Sequence, residues 1–305
     1  GLLYEWSSEK RNVSIQKQLV LAASQSGLLG DGLVLIESEE LIVVIATKTG
    51  AIVETRLKKH LVENIEGSLG FRVFGQSDES AFNYYFKSGF TNTNPSYVLV
   101  ERGDGFVTLY DAVLDITKTI SFLPSPYEIS VYDYSSKGVN GKSYAGLYRT
   151  EGGALDLKRD ALSGGMMNNS SYEGVAISTE SDPYDTYRLR SIGEPVEILS
   201  RSGWVGFIQK YFFAALLGSD EYIYNYYVLP KESGLYRMGY TVEGSSISNV
   251  AFGHEHRLFV GPKVRKDLMQ RAENLELSID MGWFWFLAQP MVSFMAFLNS
   301  YLNSW

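Results

Sequence analysis

From Leu33 to Val242 the sequence is a succession of short apolar runs cut by glycine and proline, and this texture constrains the fold more than any other feature. Leu41-Ile42-Val43-Val44-Ile45 is β-branched, Lys48-Thr49-Gly50 is a turn, and Ala51–Leu57 returns, which predicts a hairpin. Leu114, Ile116, Ile120 and Phe122 fall on even positions with mostly polar residues between them, the period of a half-buried strand. Pro124-Ser125-Pro126 breaks that run, and Ile129 and Val131 resume the alternation. Further β-like runs follow at 144–149, 172–178, 204–217, 222–229 and 235–242. The segment 203–217 has the apolar content of a helix, but its β-branched and aromatic residues favour strand. Many short strands at turn-rich spacing predict a sandwich or barrel, and no internal repeat is visible.

The end of the chain has a different character. All charges lie within residues 1–280, and 281–305 carry none, although three of the five tryptophans (Trp283, Trp285, Trp305) are there. Gly261-Pro262 places a proline at the first turn of a predicted helix whose Val264, Leu268, Ala272 and Leu275 share one face against the β body. A second helix is expected over 281–305. Gln289, Ser293, Ala296, Ser300 and Ser304 make a narrow polar stripe, opposite a wide apolar surface. That stripe, with aromatics at both ends, suits a helix lying in the plane of a bilayer better than one spanning it. The candidate membrane-contacting residues are Trp283, Trp285, Phe286, Phe294, Leu298, Tyr301 and Trp305. A buried hairpin of the β body is the alternative. The expected organisation is a tether at 1–30, a β body at 31–260, a packed helix and linker at 261–280 and the amphipathic helix at 281–305. A start at Gly1 and an end inside an apolar pattern read as a piece excised from a longer chain.

Composition narrows the function. Twenty-seven basic residues against 35 acidic ones give a net charge of −8, which argues against nucleic acid as a partner. The absence of cysteine removes disulfides, thiolate metal sites and thiol nucleophiles. His254-Glu255-His256 is the one His-x-His. On a strand both imidazoles point the same way, but a third ligand is needed and only His60 is left, so surface strand histidines are the blander reading. Glu180, Asp182 and Asp185 around Pro183 read as a solvated loop, and Arg102-Gly103-Asp104-Gly105 as a turn. The glycine- and asparagine-rich stretch 164–171 lacks the lysine and helix of a phosphate loop. No catalytic constellation, cofactor motif or metal set emerges, and the expectation is a non-enzymatic protein.

Three segments carry a family resemblance. They are Phe259-Val260-Gly261-Pro262, the run Leu275-Glu276-Leu277-Ser278-Ile279-Asp280-Met281-Gly282-Trp283-Phe284-Trp285-Phe286-Leu287-Ala288-Gln289-Pro290, and Ser202-Gly203-Trp204-Val205 through Tyr211-Phe212. Together they resemble the YidC membrane insertase family, with Gly203, Trp204, Tyr211, Phe212, Gly261, Pro262, Asp280, Gly282, Gln289 and Pro290 as the matching motif positions. Tyr172–Ala176 is similar as well. The resemblance is specific over about the last third and otherwise one of strand pattern. It implies a mainly β supersandwich, galactose-mutarotase-like, followed by two helices, the last amphipathic and interfacial. It also implies the large periplasmic domain of a Gram-negative inner-membrane insertase and chaperone. Its partners would be SecF and the SecYEG translocon, nascent membrane-protein clients and the membrane surface, with no cofactor. The competing expectation is a periplasmic carbohydrate-binding or aldose-epimerase-like β-sandwich, motivated by the many tyrosines and tryptophans and by His254 and His256.

Overall fold

The computed structural model describes residues 32–61, 70–75, 83–139, 141–150, 174–188, 191–208, 212–232, 234–243, 250–263 and 275. They form eighteen strands: β1 (Leu33–Glu37), β2 (Leu41–Ala46), β3 (Ala51–Leu61), β4 (Gly70–Phe74), β5 (Asn83–Phe90), β6 (Val98–Gly103), β7 (Phe106–Asp111), β8 (Ile116–Phe122), β9 (Glu128–Ser135), β10 (Ser143–Thr150), β11 (Gly174–Ser178), β12 (Asp185–Arg188), β13 (Val196–Arg201), β14 (Trp204–Ile208), β15 (Phe212–Leu217), β16 (Ile223–Glu232), β17 (Leu235–Val242) and β18 (Phe252–Pro262).

Two nine-stranded antiparallel sheets result. Sheet 1 runs β1-β2-β3-β5-β10-β17-β16-β13, with β4 on β3. Sheet 2 runs β12-β11-β14-β15-β18-β9-β8-β7-β6. Their inner faces share one apolar core, drawn from Val43, Phe86, Leu147 and Tyr240 of sheet 1 and Ile120, Val131, Phe207 and Leu258 of sheet 2. The protein is thus a mainly β sandwich, as its pattern of short runs predicts.

Strand-level expectations hold where the pattern is clear. The 41–57 hairpin forms as β2 and β3, with Gly50 at φ +66° in its turn. A Cβ there would also stand 2.6 Å from the aliphatic stem of Lys118. Strand β8 alternates as expected from Ile116 onward, while Leu114 falls in the preceding turn. The 203–217 segment is two strands, β14 and β15, and every residue in both is buried. Burial on both faces removes alternation, which is why this stretch reads equally as helix by apolar content.

One expectation is corrected. Gly261-Pro262 does not open a helix. Both residues end β18, with Phe213 opposite Gly261 and Phe212 opposite Pro262. A terminal strand position tolerates a residue without an amide hydrogen. The other expectations for the chain ends, namely the 1–30 tether, the rest of the packed helix and linker at 261–280 apart from Leu275, and the helix over 281–305, lie outside the described residues. Among the described residues, no helix is long and apolar enough to cross a membrane.

Candidate functional site: an aromatic platform and a buried polar cluster

Sheet 2 is apolar on its outer face as well as its inner one. Successive side chains of a strand point to opposite faces. In β14, Val205 and Phe207 therefore enter the main core, while Trp204 and Ile208 point outward. In β15, Phe213, Ala215 and Leu217 point outward, and in β18 Phe259 does. The pairings Trp204 with Leu217, Ile208 with Phe213, and Ala215 with Phe259 join these side chains into one platform. Trp204 packs edge-on against Phe213, with ring centroids 5.3 Å apart, and Tyr184 flanks it at 6.1 Å. Leu275 is fully buried on this platform. Leu275, thirteen residues after Pro262, thus belongs to the same outer cluster as Trp204, Phe213 and Phe259.

The platform explains several motif positions. Gly203 adopts φ +97°, and a Cβ on it would lie 2.2 Å from the carbonyl oxygen of Ser178, so only glycine fits. That close approach sets Trp204 onto β14. Phe212 and Gly261-Pro262, some fifty residues apart in sequence, are paired across β15 and β18. Gly203, Trp204, Phe212, Gly261 and Pro262 thus converge on β14, β15 and β18. Tyr211, Asp280, Gly282, Gln289, Pro290 and the membrane-contacting set Trp283, Trp285, Phe286, Phe294, Leu298, Tyr301 and Trp305 lie outside the described residues.

A second constellation lies inside the sandwich, and the sequence reading missed it. Lys118 of β8 and Asp133 of β9 are directly opposite in register and both completely buried. Lys118 Nζ stands 2.6 Å from Asp133 Oδ1. It also donates to the Ser88 carbonyl at 3.1 Å and to Ser88 Oγ at 2.7 Å. The Ser88 hydroxyl in turn donates to Asp133 Oδ2 at 2.6 Å. Burial lowers Lys118 below the ordinary lysine value, against the opposing pull of Asp133. The signal for this pair was present: Lys118 shares the even face of β8 with Ile116 and Ile120, and Asp133 the odd face of β9 with Ile129 and Val131. Opposite charges on the apolar faces of neighbouring strands mark a buried cross-strand pair.

His254 and His256 do point the same way, but inward. Reading them as surface histidines is corrected by their burial. Their neighbours explain the difference: Tyr222, Tyr224 and Tyr240 pack edge-on against His254, and Tyr240 lies tilted against His256. His256 Nε2 lies 3.1 Å from Ser143 Oγ and its Nδ1 3.0 Å from the Tyr240 hydroxyl, so both nitrogens have hydroxyl partners. His254 makes no hydrogen bond through either nitrogen. No three histidine or acidic side chains converge on a metal-sized space among the described residues, and the side chain of His60 is outside them. Trp204, Tyr224, Tyr226, Tyr240 and both strand histidines, which motivated a sugar site, are all packed in the interior. Glu180 and Asp182 lie on the exposed turn before β12 as expected, whereas Asp185 opens that strand; the chain turns at Asp104-Gly105 between β6 and β7, with Arg102 still in β6.

Burial pushes His254 down to about 4 and His256 well below the ordinary histidine value. Both imidazoles are therefore neutral in the folded protein, while unfolded ones gain a proton near pH 6.5. The unfolded state binds more protons below that pH, so stability is flat above it and falls as pH drops. Each histidine contributes a slope of about 1.4 kcal/mol per pH unit. Urea midpoints between about pH 6.5 and 5 are expected to fall accordingly. His254→Leu should make the decline shallower without loss at neutral pH, because His254 forfeits no hydrogen bond.

Comparison with known proteins accords with this architecture. The YidC periplasmic domain family model matches residues 33–294. A protein of Wigglesworthia glossinidia brevipalpis named membrane protein insertase YidC is 26% identical over 290 residues, 87% of this chain and 53% of that protein. Namesakes from Hahella chejuensis and Pseudomonas putida are 30% identical over 203 residues and 28% over 308, covering 62% and 91% of this chain and 34% and 52% of theirs. The chain thus spans about half the length, or less, of these relatives. Among solved structures, a galactose mutarotase related enzyme of Lactobacillus acidophilus superposes with a TM-score of 0.43 at 9% identity, over 75% of this chain and 97% of that one. A putative aldose 1-epimerase of Escherichia coli gives 0.38 at 7%, over 76% and 99%. These low scores carry no argument about ligand or activity. The match over residues 33–294, most of the chain, establishes that the chain belongs to the YidC periplasmic domain family.

Proposed function

We propose that this chain is the periplasmic docking and scaffolding domain of an inner-membrane protein insertase, and that it works without catalysis. In this reading it stands on the periplasmic side of a Gram-negative inner membrane. It assists insertion and folding of membrane proteins, alone or beside the SecYEG translocon through SecF. The single observation that supports it most directly is Leu275 buried in the outer cluster that holds Trp204, Phe213 and Phe259. The burial of Leu275 on the outer face of sheet 2 supports a reading in which the chain after β18 is anchored there ahead of residues 281–305. An amphipathic helix there would lie in the outer leaflet and couple the sandwich to membrane spans. Burying one large side chain contributes about 1.5–3 kcal/mol, so several aromatics suffice for anchoring.

Flotation with phospholipid vesicles tests this reading. The full chain is expected to float, whereas the chain lacking 281–305 and the full-length variants Phe294→Asp and Leu298→Asp should stay at the bottom of the gradient. Equal flotation of all four would refute the interfacial helix. Crosslinking to SecF in membranes tests the translocon partner separately.

A further inference from the structure

We infer that the outer face of β1–β3 is a docking surface for this chain's own N-terminal residues, with the run Leu19-Val20-Leu21-Ala22-Ala23 lying on it. This contact forms with or without a membrane and does not depend on the insertase reading.

Side chains on one face of these strands make a cluster of their own: Leu35 of β1, Ile42, Val44 and Ala46 of β2, and Ala51 and Val53 of β3. Their neighbours Val34, Val43 and Ile52 point to the main core, so this cluster lies on the outer face of sheet 1. Leu35 is opposite Val44, and Ala46 opposite Ala51, which sets the side chains side by side. An antiparallel sheet can leave its outer face to water. Here it does not: Val44 is 0%, Ala46 1% and Val53 3% exposed. At the other end of the same outer face, Leu199 of β13 and Ile223 of β16 are 73% and 55% exposed. Every described member of the buried cluster comes from β1, β2 or β3. Neighbours within one layer leave the tops of side chains open, so a further layer of chain covers them.

The route of the chain selects the occupant. The Gly32 carbonyl accepts from the Thr47 amide and hydroxyl, both at 3.1 Å, and Leu33 packs at the edge of the cluster. Residues 1–31 therefore arrive at this corner, and they hold Ile15 and the apolar run 19–23. The eight residues from Ser24 to Asp31 span up to about 27 Å. Three strands about 4.8 Å apart are roughly 10 Å across, so the run reaches the whole face. Other segments fit less well. Residues 62–69 leave β3 at Leu61, roughly 26 Å along the strand from Val53. Residues 76–82 offer only Ala81 and Phe82 as apolar side chains. The uncharged end follows Leu275, which is buried on the outer face of the other sheet. Docked there, the run leaves residues 1–14 as the free part of the expected tether, at most about 50 Å of extended chain instead of about 100 Å.

The chain has no cysteine, so introduced thiols report the contact. On the full chain, Val44→Cys is expected to react with a maleimide at least about tenfold more slowly than Leu199→Cys on the bare end of the face. Adding Leu19→Asp with Leu21→Asp should raise the rate of Val44→Cys about tenfold or more, because carboxylates do not enter an apolar interface. Val43→Cys, on the inner face beside it, should stay protected in that background, which shows that the sandwich remains closed. Leu19→Cys, Val20→Cys, Leu21→Cys and Ala22→Cys, each combined with Val44→Cys, should give an intramolecular disulfide in at least one pairing. Closure requires Cα atoms within about 7 Å. An unchanged rate for Val44→Cys in the aspartate background, an equal rise for Val43→Cys, or no disulfide in any pairing overturns the assignment. So does protection lost on dilution, which would mark a second copy of the chain as the cover. A disulfide of Val44→Cys with Leu162→Cys instead would mark residues 151–173 and overturn it too. None of these measurements involves lipid or SecF, so failed flotation leaves this contact standing, and its own failure leaves the insertase reading untouched.

Discussion

Trp204→Ala is expected to destabilise the protein by about 3–5 kcal/mol, the range for removing a buried indole. The side chain is completely buried among Phe213, Tyr184 and the outward residues of β15. Its neighbours belong to strands held by long ladders, so the platform cannot collapse to fill the space. A lower urea midpoint at unchanged slope would register the loss. The variant should also release the segment that carries Leu275, seen as faster proteolysis between 264 and 280. Leu275→Ala separates the two effects. It should speed the same proteolysis while leaving the urea midpoint of the sandwich nearly unchanged, because it undocks a segment without opening the sheet. If Trp204→Ala costs less than about 1 kcal/mol, the platform is not a packed core of the kind described.

Lys118→Met is expected to cost about 3–5 kcal/mol, because it strands the Asp133 carboxylate in an apolar interior. The geometry makes the loss large: both side chains are fully buried, and Ser88 bridges them. Replacing both members, Lys118→Met with Asp133→Leu, should recover most of the stability, since a desolvated ion pair contributes little net over apolar packing. A double-mutant cycle by urea denaturation measures this coupling. Additive losses in the double variant would show that the pair does not act as a unit. The reach of the effect follows from position. Lys118 and Asp133 join β8 to β9 in sheet 2, and Ser88 belongs to β5 in sheet 1, so the cluster links the two sheets.

Much of this fold was legible in the sequence where one face of a strand meets the core. The 41–57 hairpin and the alternation around β8 and β9 announced themselves, because period two is a direct consequence of strand geometry. Gly261-Pro262 was misread for a physical reason. Proline fits both the first turn of a helix and the end of a strand, and only the partners of β18 distinguish the two. His254 and His256 were rightly given a common direction, but which direction depended on the tyrosines of β16 and β17 that pack on them. The Lys118–Asp133 pair was written into two alternating strands, and it goes unnoticed when charges are counted as solvent-facing by default.

The sequence by itself determined the class of fold, the chain of motif residues that identifies the family, and the separation of a charged body from an uncharged end. These are local properties: turn residues, strand periodicity and composition act within a few positions. Only the tertiary structure decided what meets what. It brought Trp204, Phe212 and Gly261-Pro262 onto neighbouring strands, buried Leu275 in the outer cluster of Trp204, Phe213 and Phe259, and placed Lys118 opposite Asp133. It also buried the outer face of β1–β3 while leaving Leu199 and Ile223 of the same sheet exposed. Strand order arises from pairings between segments far apart in the chain, and it is set by how two whole sheets bury their inner faces together.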